Sequence, residues 1–509
     1  MVQTIPVAAE ANPVPVGVAN ACPAELLGPE QRQALALQAL GGAFTISVLA
    51  EQADVSRKFV YQQIDIAEQA LEQAFATPAV DHDEVLFHLP VTKKWLRQNV
   101  VSLLLNCRSC YRGIIHHFHD CLDCHVSLGT IHNIIHDAVL IARRFQEQQR
   151  LDAVNIGLLD EIFQAQLPVL VGIDAASTYC FLLSQESHRD GVTWGVRLLE
   201  LQERGLDPKA FLADFGSGLR AGCNLVYADT ECWGDVFHGL QTVVPVVSAL
   251  ANQAYEAIAV RDDLERKAAN HQRRHGRANQ SLTTKLANAK PKEQQAIALA
   301  DDVSLLADWL RTDIFAVAGP CGADRRVLYA FIVAELRARA PQCAYRLNPL
   351  CTFLDNHREQ LLGFVDQLDR DLAELAARFQ VSVATLRELL RWQHLSYTNP
   401  RRWQREAELR QQLQERFHDL NEAVRELAQG TVRASSLVEN LNSRLRNYFT
   451  LRRHLGADYL VLLQFFLNHR RFDRSDCPER VGKSPAELLT GQTHPHWLEM
   501  LGYPPFSRN

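Results

Sequence analysis

Three features are missing from this sequence of 509 residues: a long apolar run, a basic amino-terminal segment and a net positive charge. The longest apolar stretches, such as residues 459–467, fall well short of the roughly 18 residues that a membrane-spanning helix needs, so we expect no membrane segment. Residues 1–21 contain no Lys or Arg, which predicts a disordered leader and not a secretory signal. The net charge of −6 implies that any nucleic-acid contact depends on local basic patches.

The cysteines do not indicate a disulfide framework. Twelve of them are scattered through a large chain, which favours reduced thiols and a cytoplasmic protein. Two CxxC pairs have spacing typical of zinc ligands, Cys107/Cys110 and Cys121/Cys124. The ten residues between the pairs have the pattern of an amphipathic helix, and free cysteines are common in buried helices. We therefore expect core cysteines and no zinc at this place.

Composition is ordinary for a globular protein, with 47% hydrophobic and 22% charged residues, and the length favours about three domains. Changes of pattern along the chain divide it further. The predicted segments are a leader (1–21), a helix-turn-helix unit (22–91), a second helical DNA-binding unit (92–150), the first part of an α/β core (151–250), a helical insertion (251–430), and a segment that completes the core and ends in a tail (431–509).

A helix-turn-helix is predicted near the amino terminus. Residues 44–53 form a short amphipathic helix, residues 54–56 form a polar turn, and Ser56 can cap the next helix. That second helix presents side chains of the types that contact bases and phosphates in the major groove; they are Arg57, Lys58, Tyr61 and Gln62. The alternative is an ordinary helical hairpin. A similar pattern at 111–118 and 126–135 predicts the second unit.

Two local basic patches offset the negative net charge. Residues 261–292 hold nine Lys or Arg against three acids, and residues 431–474 hold eight Arg against three acids. Such patches are typical of phosphate-binding surfaces, although either could be a solvated helix face.

Residues 154–163, 168–175 and 178–184 are predicted to be three consecutive strands with short turns, and hence an antiparallel meander. A helix follows from Gly191 to Arg204, with Trp194, Val196, Leu198, Leu199 and Leu201 expected on its buried side. A further apolar run then ends at Asp214. Because an unpartnered buried carboxylate costs several kcal/mol, Asp160 within the first strand requires an explanation. Carboxylates that converge at strand ends typically bind Mg²⁺.

The ordered set of motifs resembles the bacterial insertion-sequence transposases of the DDE class. Residues 160–163 with 168–174 resemble their opening strands, and residues 214–219 with 235–238 are similar to their second catalytic segment. Residues 433–446 resemble the helix that carries their last glutamate, Glu439. The resemblance runs in order over residues 30 to 500. It implies an α/β RNase H-like core with an N-terminal all-α helix-turn-helix region and a large helical insertion.

The resemblance also implies the chemistry. Asp160, Asp214 and Glu439 would be the catalytic acids and would hold two Mg²⁺ or Mn²⁺ ions, with Asp160 bridging both. Around Glu439, the arginines expected to contact DNA are Arg433, Arg444 and Arg446. His238 would position a phosphate or the attacking group, or else be a core histidine. Gly216 and Gly218 would let the backbone approach the site, or serve only as turn residues.

Several alternatives stay open at this level. Asp174 and Asp229 compete with the two aspartates, and Glu335 or Glu359 could replace Glu439. The implied protein binds double-stranded DNA, acts as a homo-oligomer when two element ends are paired, and is cytoplasmic and associated with a bacterial nucleoid. A related nuclease without strand transfer, or an inactive DNA-binding regulator derived from a transposase, would share much of this sequence pattern.

Overall fold

The computed structural model describes residue 24 and residues 27–76, 89–450 and 455–503. It divides into two compact units, residues 1–90 and residues 91–509. The predicted leader, residues 1–21, lies outside the described residues.

In the described part of the first unit, residues 27–76, three helices surround a small apolar core. They are α1 (Pro29–Leu40), α2 (Ile46–Gln52) and α3 (Arg57–Phe75). The turn between α2 and α3 includes Asp54 with a left-handed φ of 50°. Ser56 caps α3 as predicted, because its side chain accepts a hydrogen bond of 3.1 Å from the amide of Phe59. The core is formed by Leu35, Leu49, Ala50 and Val60.

A mixed sheet of five strands forms the centre of the second unit. The strands are β1 (Ile156–Gln164), β2 (Leu167–Asp174), β3 (Cys180–Gln185), β4 (Ala210–Ala213) and β5 (Glu231–Gly234). Their order is β3-β2-β1-β4-β5. The first three strands pair antiparallel, which confirms the predicted meander, whereas β4 and β5 run parallel to β1. The sequence pattern does not predict β5 as a strand, because its four residues are too few to show a period.

Most of the described chain is helical. The helices of the second unit before the sheet are α4 (Lys93–Leu105), α5 (Tyr111–Leu122) and α6 (Leu128–Gln148). Those between strands are α7 (Gly191–Glu203) and α8 (Ser217–Val226). Those between β5 and residue 430 are α9 (Val236–His275), α10 (Gln280–Trp309), α11 (Gly322–Arg339), α12 (Ala344–Asn356), α13 (Arg358–Phe379), α14 (Val383–Gln393), α15 (Pro400–Leu413) and α16 (Phe417–Gly430). The last are α17 (Ser436–Phe449), α18 (Ala457–His469), α19 (Pro485–Thr490) and α20 (Trp497–Met500).

Helices cover both faces of the sheet. Leu158 and Ile162 of β1 pack in a core shared with α4, α5, α6, α17 and α18. Leu159, on the opposite face of β1, packs with α7 and α8. Alternate side chains of a strand point to opposite faces, so the sheet is buried on both sides. The arrangement is an α/β core with added helical regions.

Helix α7 begins at the predicted residue, but two of its expected buried positions are wrong. Trp194, Leu198 and Leu201 are buried, whereas Val196 and Leu199 are each 50% exposed. The helix buries a narrower stripe than the run of apolar residues suggests, because only positions three or four residues apart face the same neighbour.

The helical region predicted for residues 251–430 begins earlier, because α9 starts directly after β5 and runs through residue 251 without a break. By length and composition, α9 is the one helix of the described chain that could cross a membrane. A single such helix is weak evidence, since soluble proteins contain similar ones. Val236, Gly239 and Val243 of its first turns are buried against the rest of this unit, which makes this end of α9 part of the folded core.

Candidate active site

Asp160 lies in the central strand, β1, and is only 8% exposed. One carboxylate oxygen accepts a 2.8 Å hydrogen bond from the amide of Glu161. The other accepts a 2.6 Å hydrogen bond from the side-chain amide of Asn442 in α17. The buried carboxylate predicted from the sequence is therefore held by two donors, one of them 282 residues away in the chain.

The neighbouring carboxylate, Glu161, lies on the other face of the sheet. It accepts hydrogen bonds from the indole nitrogen of Trp194 at 2.8 Å and from Arg189 at 3.2 Å. Strand alternation thus separates the two acids, and both Glu161 oxygens already have partners. Asp160 is the acid of β1 that faces α17.

Asp214 follows β4 immediately. In the parallel pairing of β1 with β4, Leu159 lies opposite Ala213, so the next position along both strands places Asp214 beside Asp160. Adjacent strands are about 4.8 Å apart. The half-buried Asp214 accepts a 2.9 Å hydrogen bond from the amide of Gly216, which holds its side chain at the carboxyl end of the sheet.

Glu439 lies in the first turn of α17, with its side chain 37% exposed. Asn442, three residues further on, shares its helix face, because residues three apart are neighbours on a helix. The contact of Asn442 with Asp160 therefore brings this face of α17, including Glu439, to the centre of the sheet. Asn442 is 1% exposed, and its carbonyl oxygen has no hydrogen-bond partner among the described residues.

His238, in the first turn of α9, connects two acids. Its Nδ1 lies 3.0 Å from Asp235 and its Nε2 lies 4.0 Å from Glu439. Because Asp235 accepts the hydrogen from Nδ1, Nε2 is directed towards Glu439. Asp235 raises the pKa of His238 by this hydrogen bond, and the charges of Asp160 and Asp214 raise it further.

Asp235 is fully buried and joins β5, α9 and α17. It caps α9 through a 2.7 Å hydrogen bond from the amide of Phe237, and it accepts hydrogen bonds from the amide and the hydroxyl of Ser435. Burial raises the pKa of Asp235, but the hydrogen bonds from His238 and Ser435 outweigh it, so the pKa is lowered overall. Asp235 is thus an ionised anchor beside the site.

The charges of the three predicted acids interact. Burial, which is the largest cause, and the negative charges of Asp214 and Glu439 together raise the pKa of Asp160 from 3.8 to about 6. Each carboxylate therefore lies within electrostatic range of Asp160. Repulsion of this kind favours binding of a cation.

The donors at this site are the oxygen ligands that Mg²⁺ and Mn²⁺ prefer. They include three carboxylates and the unpartnered carbonyl oxygen of Asn442. The donor set thus fits a divalent cation. Over the described ranges, no three His, Cys, Asp or Glu side chains are already grouped so that they could hold a metal ion.

The competing acids have other partners. Asp174 is buried and accepts hydrogen bonds from the amide and hydroxyl of Ser177, which fixes the turn after β2. Asp229 is exposed in the turn before β5. Glu335 pairs with Arg339 at 2.6 Å, and Glu359 lies 3.4 Å from Arg326. None of these four is among the main causes of the raised pKa of Asp160.

Gly216 and Gly218 leave no room for a side chain, each because of a different neighbour. A Cβ on Gly216 would lie 2.9 Å from the Asp214 carboxylate, so a side chain there would crowd the predicted catalytic acid. A Cβ on Gly218 would lie 2.0 Å from the carbonyl oxygen of Arg189, so this glycine permits α8 to pack against the preceding loop.

The predicted DNA-contacting residues fall into two groups. Arg57, Lys58, Tyr61 and Gln62 are all exposed on α3, and Arg446 is exposed on α17. Arg433 and Arg444 are partly buried, and burial lowers the pKa of each guanidinium. Arg433 donates a hydrogen bond to the carbonyl of Phe315, which links the helical region to the start of α17.

The two CxxC pairs lie at opposite ends of α5. Cys110 caps the start of this helix by accepting a hydrogen bond from the amide of Gly113, and Cys121 is in its last turn. At 1.5 Å per residue, the helix separates these two cysteines by about 16 Å. This distance does not allow the four thiols to meet at one ion. Cys107, Cys110 and Cys121 are exposed and Cys124 is partly buried, so they are not the core residues that we expected.

Sequence reasoning predicted Asp160, Asp214, Glu439 and His238 for this site. It included Asp235 and Asn442 only within the matched segments 235–238 and 433–446, and predicted none of their contacts. Two patterns could have indicated them: an Asp directly before a helix, three residues from a His, and an Asn three residues after the glutamate. No protein-family model matches this sequence, and no curated protein matches it either.

Proposed function

We propose that this protein is a DDE-type transposase that cleaves DNA at the ends of an insertion sequence and transfers the strands to a target. The observation that supports the proposal is that the charges of Asp214, at the end of β4, and of Glu439, on a helix 225 residues further on, both act on Asp160 in β1. The strand order, with two antiparallel and two parallel pairings, supports an RNase H-like core.

The three acids would hold two Mg²⁺ or Mn²⁺ ions, which when bound activate the attacking water or 3′-hydroxyl and stabilise the leaving oxygen. Asn442 keeps the Asp160 carboxylate in one orientation. Asp235 holds His238 so that Nε2 points towards Glu439, and a protonated Nε2 can donate a hydrogen bond to a phosphate oxygen.

The substrate would be double-stranded DNA, with α3 of the first unit reading the element ends. Bringing two ends together calls for a dimer or a larger assembly, and the protein would act in the bacterial cytoplasm at the nucleoid. The exposed positions of Arg57, Lys58, Tyr61 and Gln62 support DNA reading by α3.

The test is cleavage of duplex DNA that contains the sequences flanking the gene, with Mg²⁺, Mn²⁺ or Ca²⁺. We expect cleavage with Mg²⁺ or Mn²⁺, and loss of at least about 10³-fold for Asp160→Asn, Asp214→Asn and Glu439→Gln, as for removal of essential catalytic groups. Glu359→Gln is the matched control and should keep the activity of the native protein.

The products distinguish the related functions. Joining of cleaved ends to a second DNA supports a transposase, whereas metal-dependent cleavage without joining assigns a nuclease. If the native protein binds DNA but does not cleave it, the inactive DNA-binding regulator is the function that remains. Equal activity of native protein and Asp160→Asn would disprove catalysis by this site.

A further inference from the structure

Helices α9 and α10 form a long antiparallel hairpin that extends beyond the core. The last buried residue of α9 is Ala254, although the helix continues to His275. At 1.5 Å per residue, the remaining 21 residues project roughly 30 Å. The partner helix returns from Gln280 and rejoins the core at Leu299. We call residues 255–298 the arm.

Ion pairs join the two helices of the arm near its base. Arg261 of α9 contacts Glu293 of α10 at 2.8 Å, and Lys290 lies 3.4 Å from Glu265. On α9 itself, Asp263 pairs with Arg266 and Lys267. Asp263, Glu265 and Glu293 are thereby paired with nearby cations.

The outer part of the arm contains no acid at all. Residues 266–292 hold eight Lys or Arg and no Asp or Glu. Five of these cations are exposed and have no carboxylate partner within the described ranges; they are Arg273, Arg274, Arg277, Lys285 and Lys292. So dense a group of like charges is unfavourable for an isolated protein, and a polyanion would relieve the repulsion.

The composition of this surface favours a nucleic-acid duplex over a single strand. Residues 266–292 include no Phe, Tyr or Trp, so the arm has none of the aromatic platforms on which single-stranded nucleic acids stack. It is instead rich in Asn, Gln, Ser and Thr, which donate hydrogen bonds to phosphates. This combination suits the backbone of a duplex.

We propose that the arm is a second binding surface for duplex DNA, independent of DNA sequence. It contacts the DNA backbone at a place separate from the three acids. This inference rests on the proposed function, because it supplies a DNA partner, but it requires no chemistry at the site. The Arg and Lys side chains of the outer arm would displace counterions from the DNA, which makes the contribution of the arm strongly dependent on salt.

The test uses the full chain and a 40-base-pair duplex of arbitrary sequence, with equilibrium binding measured at several KCl concentrations. The variant Arg273→Ala/Arg274→Ala/Arg277→Ala should reduce the slope of log K against log [salt] by about 2 to 3, at about 0.9 per charge. Its affinity at about 0.1 M salt should fall at least about tenfold. The control Arg405→Ala/Arg410→Ala/Arg425→Ala removes the same charge from arginines already paired with glutamates, and should change neither quantity.

An unchanged salt slope in the arm variant, with circular dichroism like that of the native protein, would overturn the inference while leaving the proposed catalysis intact. The opposite result is also informative. If the native protein does not cleave DNA but the arm variant loses salt-dependent binding, DNA binding by the arm is supported and the transposase proposal is refuted. Tighter binding of duplex RNA than of duplex DNA would overturn the choice of DNA as partner.

Discussion

The ionised carboxylate of Asp160 lowers the stability of the folded protein. Its carboxylate is buried and faces two other negative charges, so its pKa rises from 3.8 in an exposed chain to about 6. Between these pH values the folded protein binds more protons than the unfolded chain, and stability therefore falls as the pH rises through this window. A shift of about two units corresponds to roughly 3 kcal/mol. We interpret this loss of stability as the consequence of placing carboxylates where they can bind cations.

The first prediction concerns Asp160→Asn. This substitution removes the buried charge, so at pH 8 it should increase the free energy of unfolding by up to about 3 kcal/mol. Below pH 4, where the native carboxyl is protonated, we expect no gain. Denaturant unfolding at both pH values measures this. Asp229→Asn, in an exposed turn, is the control, and an equal effect of Asp160→Asn at both pH values would contradict the explanation.

Asn442 allows a second prediction at this scale. Asn442→Ala removes the 2.6 Å hydrogen bond to the Asp160 carboxylate, which should raise the pKa of Asp160 further. We expect the acidic limb of the pH profile for cleavage to move to higher pH, with lower activity at neutral pH. Asn447→Ala, on the exposed side of the same helix, should leave the profile unchanged. A lower rate with no shift in the profile would argue for a merely structural role.

At the scale of elements, Asp235 joins parts that are far apart in the chain. It ends β5, caps α9 and holds Ser435 at the beginning of α17, which is 200 residues away. The amide of Val236 also donates to the carbonyl of Arg433. These contacts fix the start of α17 against the sheet, and the position of Glu439 in the first turn follows from them.

Asp235→Asn should weaken the contacts that hold the start of α17 against the sheet. We expect a loss of about 1 to 3 kcal/mol in the free energy of unfolding, because charged hydrogen bonds to buried donors become weaker. The pKa of His238 should fall, since the carboxylate of Asp235 is the main cause of its rise. Titration of His238 by NMR measures this change. Asp190→Asn replaces a similar helix cap on α7 and should leave His238 unaffected.

At the scale of the molecule, the chain consists of two compact units. Residues 91–509 contain the sheet, all three acids and the arm, whereas the exposed polar face of α3 belongs to the first unit. Helices α4–α6, predicted as a second DNA-binding unit, share a core with the sheet.

This division predicts that residues 91–509 retain metal-dependent cleavage of DNA when produced alone, but lose preference for the element ends. Cleavage of flanking DNA compared with unrelated DNA measures both properties. The full chain with Arg57→Ala and Lys58→Ala is the matched comparison and should lose the same preference. If the shortened protein still selects the ends, the reading surface lies elsewhere, with Arg446 as the next candidate.

Local patterns in the sequence determined much of the architecture. The meander of β1–β3, the start of α7 at Gly191 and the cap by Ser56 all depend on residues close together in the chain. Periodicity and capping are local properties, so they can be recognised without the fold. The same holds for Asp160, because a carboxylate within an apolar strand is visible in the sequence itself.

Only the tertiary structure decided which side chains meet. The contacts of Asn442 with Asp160 and of Asp235 with Ser435 span 282 and 200 residues, and nothing in the local sequence specifies them. Likewise, the exposure of Val196 and the burial of Arg444 depend on which neighbouring elements pack there. Packing between distant segments results from the shape and burial of whole surfaces, whereas a sequence pattern records only the preference of each segment.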